Sequence, residues 1–156
     1  MEFEKIYQSY SEKIFRLCMA YVNDRVEAQD LTQETFIIVW EKLDTFRNES
    51  SIGTWIYRIA TNNCLKMIRK GKVHKTAELP IHIMEKEMPA SLEPQIKLLY
   101  QFISELPEIE RIIISLELED LNQAEIALIV GLSATNVRVK IHRIKKKLTK
   151  KFKDHE

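Results

Sequence analysis

Apolar residues recur at three- and four-residue spacing along most of the chain, and the places where that rhythm breaks divide it into helices. Phe3, Ile6, Tyr7, Tyr10, Ile14, Leu17, Cys18 and Tyr21 put one buried face on a first helix. It stops near Asn23. Asp24 followed by Glu27 predicts a capping box, in which each side chain satisfies a free amide at the start of the next helix. That helix carries Ala28, Leu31, Phe36, Val39, Trp40 and Leu43. A polar stretch from Asp44 to Ser51 follows, with Phe46 as its large apolar residue. A third helix is predicted from Ile52 to Lys70, packing through Trp55, Ile56, Ile59, Ala60, Leu65 and Ile68.

Between 71 and 91 the periodicity fails, and Gly71, Pro80 and Pro89 among scattered charges predict a flexible linker. Fully extended, it would span at most about 70 Å, on the order of two duplex turns of about 34–36 Å each. The helical rhythm returns at Leu92, Ile96, Leu99, Tyr100, Ile103 and Leu106. Pro107 suits the first turn of a further helix through Ile109, Ile112, Ile113 and Leu116, ending near Leu118. Asn122 with Glu125 opens a short helix; Gly131 then turns the chain, and Ser133 caps a final helix of nearly 20 residues. The expectation is an all-α chain of two small helical domains, 1–70 and 92–156, joined by the linker 71–91.

Composition narrows the function classes. Three glycines and four prolines leave little room for the tight turns of a sheet protein or for a glycine-rich phosphate loop. No apolar run reaches the roughly 18–20 residues of a membrane span, and no signal-peptide core opens the chain. Cys18 and Cys64 lie within apolar helical patterns, so a disulfide framework is not expected. His74, His82, His142 and His155 lack metal-ligand spacing with cysteines or acids. No nucleophile with an ordered histidine and acid can be assembled from a local motif. Neither an enzyme nor a cofactor or metal is expected.

The net charge of +1, from 24 Lys+Arg against 23 Asp+Glu, argues at face value against nucleic acid. Counting by segment reverses that inference. Residues 1–65 hold 7 basic and 10 acidic side chains, whereas 66–75 hold 5 basic and no acidic ones. Residues 76–125 hold 3 basic and 11 acidic side chains; 126–153 hold 9 basic and none acidic. One cationic tail could be a solvated helix end. Two such runs, each on the last helix of its own bundle, point to a polyanion. The opposite signs of 76–125 and 126–153 also make a self-masked closed state plausible.

The passage from Leu121 to Arg143 is the most specific. A short helix, a turn centred on Gly131 and a capped second helix form a helix-turn-helix. Val137 and Ile141 would pack the second helix on the first, leaving Asn136, Arg138, Val139, His142 and Arg143 to a major groove. Arginine can hold guanine O6 and N7 bidentately, and an apolar side chain can touch a thymine methyl. Lys140 and the cluster Lys145, Lys146 and Lys147 suit phosphates, which position without specifying. The plainer alternative is a helical hairpin with a charged outer face.

In the N-terminal half, Asp30, Gln33 and Glu34 share one helix face, at i, i+3 and i+4. Spacing alone would make that a solvated face. Taken with the passage Phe46-Arg-Asn-Glu-Ser-Ser-Ile-Gly-Thr-Trp-Ile-Tyr-Arg-Ile-Ala-Thr-Asn, however, the chain resembles bacterial RNA polymerase sigma factors of the extracytoplasmic-function group. These keep only sigma regions two and four. The resemblance runs on through Leu106-Pro107 with Arg111, Glu125-Ile126-Ala127, Gly131-Leu132-Ser133, Val137 and His142-Arg143, covering nearly the whole chain.

That resemblance implies a transcription initiation factor that binds core polymerase and directs it to promoters, in the bacterial cytoplasm and not inserted in a membrane. Asp30, Gln33 and Glu34 would dock the clamp helices of the β′ subunit, with the β flap as a second contact on the polymerase. The loop Phe46, Arg47, Asn48, Glu49, Ser50 and Ser51 would receive a base flipped from the minus-ten element. Tyr57, Arg58, Asn62, Lys66, Arg69 and Lys70 would line that strand's path. The helix-turn-helix would read the minus-thirty-five duplex. An anti-sigma factor, which can be membrane-anchored, is the implied regulator. Lys66 stands where the family usually has an acid. Thr135 and Asn136 replace a common Gly-Thr, and Val139 a common small polar residue, so a promoter sequence does not transfer. Trp55 is expected to pack rather than stack on a base. The rival function is a stand-alone helix-turn-helix regulator with an N-terminal dimerisation or sensing bundle; a third is a pure interaction module that clasps a protein between its bundles.

Overall fold

The first apolar stripe folds as expected into α1 (Phe3–Val22), which ends where Asn23 turns left-handed at φ 49° and its amide closes on the Met19 carbonyl. A computed structural model describes residues 2–67 in full, the helical backbone of 68–70, and residues 93–156. The predicted linker 71–91 and Leu92 lie outside the described residues. Helix α2 (Arg25–Lys42) starts at Asp24, whose carboxylate accepts the Glu27 amide at 2.9 Å. Only this half of the anticipated capping box forms among the described contacts. A short 3₁₀ turn (Leu43–Thr45) follows α2, and then comes α3 (Ile52–Lys70). The C-terminal half comprises α4 (Pro94–Ser104), α5 (Glu108–Leu118), α6 (Gln123–Val130) and α7 (Ala134–His155). No strand occurs among the described residues. Pro94 occupies the first turn of α4, and Pro107 sits one position outside α5 as its N-cap.

Helices α1, α2 and α3 close the first bundle around Ile14, Leu17, Cys18, Tyr21, Leu31, Phe36 and Ile56, each fully or almost fully buried. Two polar residues join that core at little cost. The Thr32 and Thr35 hydroxyls donate to the carbonyls of Ala28 and Leu31 at 2.7 Å, so neither is stranded. Asn63 Nδ2 then donates to Thr35 Oγ1 at 3.3 Å, tying α3 to α2. Trp40, expected in the core, is instead 38% exposed and meets Phe3 edge-on at 5.2 Å. Cys18 and Cys64 are free buried thiols, sulfur to sulfur 3.9 Å apart between α1 and α3.

The second bundle gathers α4 to α7 around Ile103, Ile112, Ile113, Leu116, Ile126, Val137 and Ile144. Its three best-defined ion pairs join α7 to the helices beneath it: Lys145 to Glu117 at 3.0 Å, Lys147 to Glu110 at 2.8 Å, and Lys151 to Glu105 at 2.6 Å. The acidic and basic segments of the C-terminal half therefore meet inside one bundle. Among the described residues, none of these three pairs joins one bundle to the other.

Contact between the bundles has a different origin. Helix α1 lies against α4 and α5, and α3 lies against α6. Arg16 on α1 reaches Glu119, just past α5, through both Nε and a terminal nitrogen, the shortest contact being 2.9 Å. Arg111 on α5 donates to the Tyr21 carbonyl at 3.4 Å and to that of Leu106 at 3.1 Å, with its guanidinium 5.1 Å from the Tyr21 ring centre. Thr54 at the start of α3 donates to Glu125 on α6 at 3.4 Å.

Candidate nucleic-acid and polymerase interface

The helix-turn-helix is built by its caps. Asn122 accepts the Glu125 amide at 2.8 Å while Glu125 accepts the Asn122 amide at 3.2 Å, a complete capping box at the start of α6. At the far end the Gly131 and Leu132 amides converge on the Ala127 carbonyl, at 2.9 and 3.2 Å. Gly131 takes φ 77°, and a side chain there would meet no atom within 4 Å. The demand for glycine is thus purely one of backbone conformation. Gly131→Ala should cost about 1 kcal/mol and lower the melting temperature by several degrees, whereas Gly131→Asn should recover most of the loss. Circular-dichroism melts of the three proteins check this. Ser133 Oγ then accepts the Asn136 amide at 3.0 Å and starts α7.

Val137, Ile141, Ile144 and Leu148 pin α7 to the bundle. The solvent-facing side and its flanks present Asn136, Arg138, Val139, His142 and Arg143, all exposed. The structure brings the five candidate reading residues onto one surface over the first three turns of α7. The candidate phosphate contacts divide. Among the described residues, Lys146 is exposed with no ion pair, Lys140 is half-buried with none, and Lys145 and Lys147 hold the carboxylates of Glu117 and Glu110.

In the first bundle, Asp30 is exposed while Gln33 and Glu34 are half-buried on the outer face of α2. Glu34 Oε2 is buried without a hydrogen-bond partner among the described residues. Burial, and secondarily repulsion from Glu41, raise its carboxyl above the ordinary range. The loop before α3 holds Phe46 half-buried, its ring 5.0 Å from that of the equally half-buried Trp55. Arg47, Asn48 and Glu49 are exposed, with Asn48 left-handed at φ 57°. Ser50 donates to the Ser51 carbonyl at 3.2 Å, and Ser51 Oγ accepts the Thr54 amide at 3.1 Å, capping α3.

The candidate path along α3 is less uniform. Asn62 and Lys66 are exposed and Arg58 half-buried, but Tyr57 is 5% exposed. The side chains of Arg69 and Lys70 lie outside the described residues. Burial, then the charge of Glu119, push the Tyr57 phenol far above its ordinary value, against a smaller opposing pull from Arg16. Sequence reasoning missed Arg16, Glu119 and the Thr54–Glu125 contact. Arg16 and Glu119 are 103 positions apart, and no periodicity connects them.

Comparison with known proteins agrees with this geometry. The sigma-70 region 2 family matches residues 6–73, and sigma-70 region 4 matches residues 96–148. The chain is 31% identical to the ECF RNA polymerase sigma factor SigW of Bacillus subtilis, over 97% of this chain and 89% of that protein. It is 30% identical to the RNA polymerase sigma-H factor of Pseudomonas aeruginosa, over 95% and 84% respectively. Among solved structures, the sigma factor RpoE in complex with the anti-sigma factor NepR, from Bartonella quintana, superposes with TM-score 0.75 at 20% identity, covering 97% of this chain and 96% of that one. CnrH in complex with the cytosolic domain of CnrY gives 0.71 at 19% identity, covering 99% and 89%. These two likenesses concern the fold alone. Through its two matched regions and near full-length relatives, the chain belongs to the extracytoplasmic-function sigma-70 factors, transcription initiation factors that direct RNA polymerase to promoters.

Proposed function

We propose that residues 1–70 dock core polymerase and read the minus-ten element, that 71–91 link the two regions, and that 92–156 read the minus-thirty-five duplex. The observation that carries this is the reading face of α7: five exposed side chains capable of base contacts, on a helix fixed by Gly131 and Ser133. Polymerase supplies the chemistry, and the chain contributes recognition. No helix among the described residues is long and apolar enough to cross a membrane. Work in the cytoplasm, where the polymerase is, fits that observation.

Asp30, Gln33 and Glu34 are assigned to the β′ clamp helices. The unpartnered, partly desolvated Glu34 carboxylate supports this, because a cationic partner would compensate it on docking. The region 4 bundle is the candidate for the β flap. The Phe46–Ser51 loop, with Arg58, Asn62 and Lys66, is assigned to the opened minus-ten strand, held by stacking and contacts to exposed base edges. Tyr57, buried beside Glu119, can join them only once it is uncovered. Engagement of both elements thus calls for the bundles to part. An anti-sigma factor, the class of protein that NepR represents in the Bartonella complex, would act by holding them together.

Reconstituted transcription with core polymerase over a promoter library tests this reading. Initiation stimulated at a subset of promoters is expected. No stimulation at any promoter, with tight specific DNA binding by the free protein, would favour a stand-alone regulator. Asp30→Lys with Glu34→Lys should weaken core binding at least tenfold while leaving DNA contacts of the C-terminal bundle unchanged. Equal core affinity would remove the docking assignment.

A further inference from the structure

Nine cations lie between residues 126 and 153 with no acid among them, yet they do not face the same way. At 3.6 residues per turn, Lys145, Lys147 and Lys151 fall within about 90° of the centre of the buried stripe Val137–Ile141–Ile144–Leu148. These are the three whose ammonium groups are held by Glu117, Glu110 and Glu105. Lys146, Lys150 and Lys153 lie about 150–170° from that centre. All three are exposed, and none has an ion pair among the described residues. With His142, Thr149 and the Glu117-paired Lys145 they line a shallow trough that continues the reading face toward the C-terminus of α7.

We propose that Lys146, Lys150 and Lys153 form a phosphate track that carries α7 onto the DNA backbone flanking the minus-thirty-five element. The inference rests on α7 being the duplex-reading helix. Its reach follows from helix geometry. The axis rises about 15 Å between Arg143 and Lys153, while a major groove is about 12 Å wide. A straight helix whose first three turns sit over base edges therefore brings its last turns to the groove rim, where phosphates lie. Cations already neutralised by the bundle release few counterions on binding. The three uncompensated ones release about 0.9 each. The track adds affinity and fixes the angle of α7 while carrying no sequence information. Lys150 and Lys153 also fall beyond the residues matched to region 4, which end at 148.

The test is the salt dependence of promoter binding by the holoenzyme, reconstituted from the full chain and core polymerase. The triple variant Lys146→Gln, Lys150→Gln, Lys153→Gln should reduce the slope of log affinity against log salt by about 2–3. The reduction should be equal on promoters with strong and weak minus-thirty-five sequences. Lys145→Gln with Lys147→Gln should change the slope by less than one. An unchanged slope in the triple variant, as expected were the trough a site for an acidic protein, overturns the track. Wild-type holoenzyme indifferent to the minus-thirty-five sequence would overturn the reading of α7 and the track with it. Selective wild-type binding with an unchanged variant slope removes the track alone.

Discussion

Arg138→Ala should lower the affinity of the holoenzyme for its best minus-thirty-five sequence by roughly tenfold to a hundredfold, with far less effect on sequences altered at the base pair it reads. The magnitude is that of one bidentate arginine–guanine contact, about 1–3 kcal/mol, at tenfold for each 1.4 kcal/mol. Arg143→Ala should behave alike at a different base pair. Both side chains are exposed and without an ion pair among the described residues, so neither change should disturb the fold. The pattern across sequences is the informative quantity. A base-reading arginine flattens selectivity at its own position, whereas a phosphate contact weakens all promoters equally. Competition among promoters differing by single base pairs separates the two. A uniform loss for Arg138→Ala would move it from the reading face to the backbone contacts, leaving Asn136, Val139, His142 and Arg143 to specify the site.

The reading face could be found in the sequence because local chemistry determines it. Gly131, Ser133 and the Asn122–Glu125 pair are short-range signals, and each makes its anticipated backbone bond. Helix α1 was legible for the same reason, with one apolar stripe and an asparagine stop. The phase of α7 is equally a property of the sequence, since counting from Val137, Ile141, Ile144 and Leu148 is enough to separate Lys145 and Lys147 from Lys146. Helix α3 was harder because it is buried on two sides. Ile56, Ala60 and Cys64 face the first bundle, while Thr54 meets α6 and Tyr57 is sealed beside Glu119, so the single stripe assumed for it left out half of what it buries. Trp40 misled in the opposite direction, as its ring lies over Phe3 at the edge of the core and stays partly in water. The contact between bundles was illegible, since it depends on how two folded units meet.

That contact yields the other large effect: Arg16→Ala should shift the free protein toward separated bundles at neutral pH without unfolding either. The two partners are unequally buried, with side-chain exposure of 47% for Arg16 and 7% for Glu119. Removing the arginine therefore strands a carboxylate that has little water, at a cost of about 1–3 kcal/mol, toward the lower end because the arginine was itself half solvated. Burial already raises the Glu119 carboxyl, outweighing the opposing hydrogen bond and charge of Arg16. Without Arg16 the rise should be larger. A carboxyl whose value is higher packed than separated favours packing at low pH, and that advantage is lost as pH rises through the raised value. The Arg16→Ala protein should accordingly be expanded at neutral pH and contract again in mild acid, whereas Glu119→Gln, which buries no charge, should stay packed across the range. Small-angle scattering against pH measures this directly, and an Arg16→Ala radius equal to wild type at neutral pH would contradict it. Separation would also uncover Tyr57, so the same variant should bind single-stranded minus-ten DNA more readily. The Arg16–Glu119 pair would then govern access to the strand-binding face of α3 as well as the shape of the free protein.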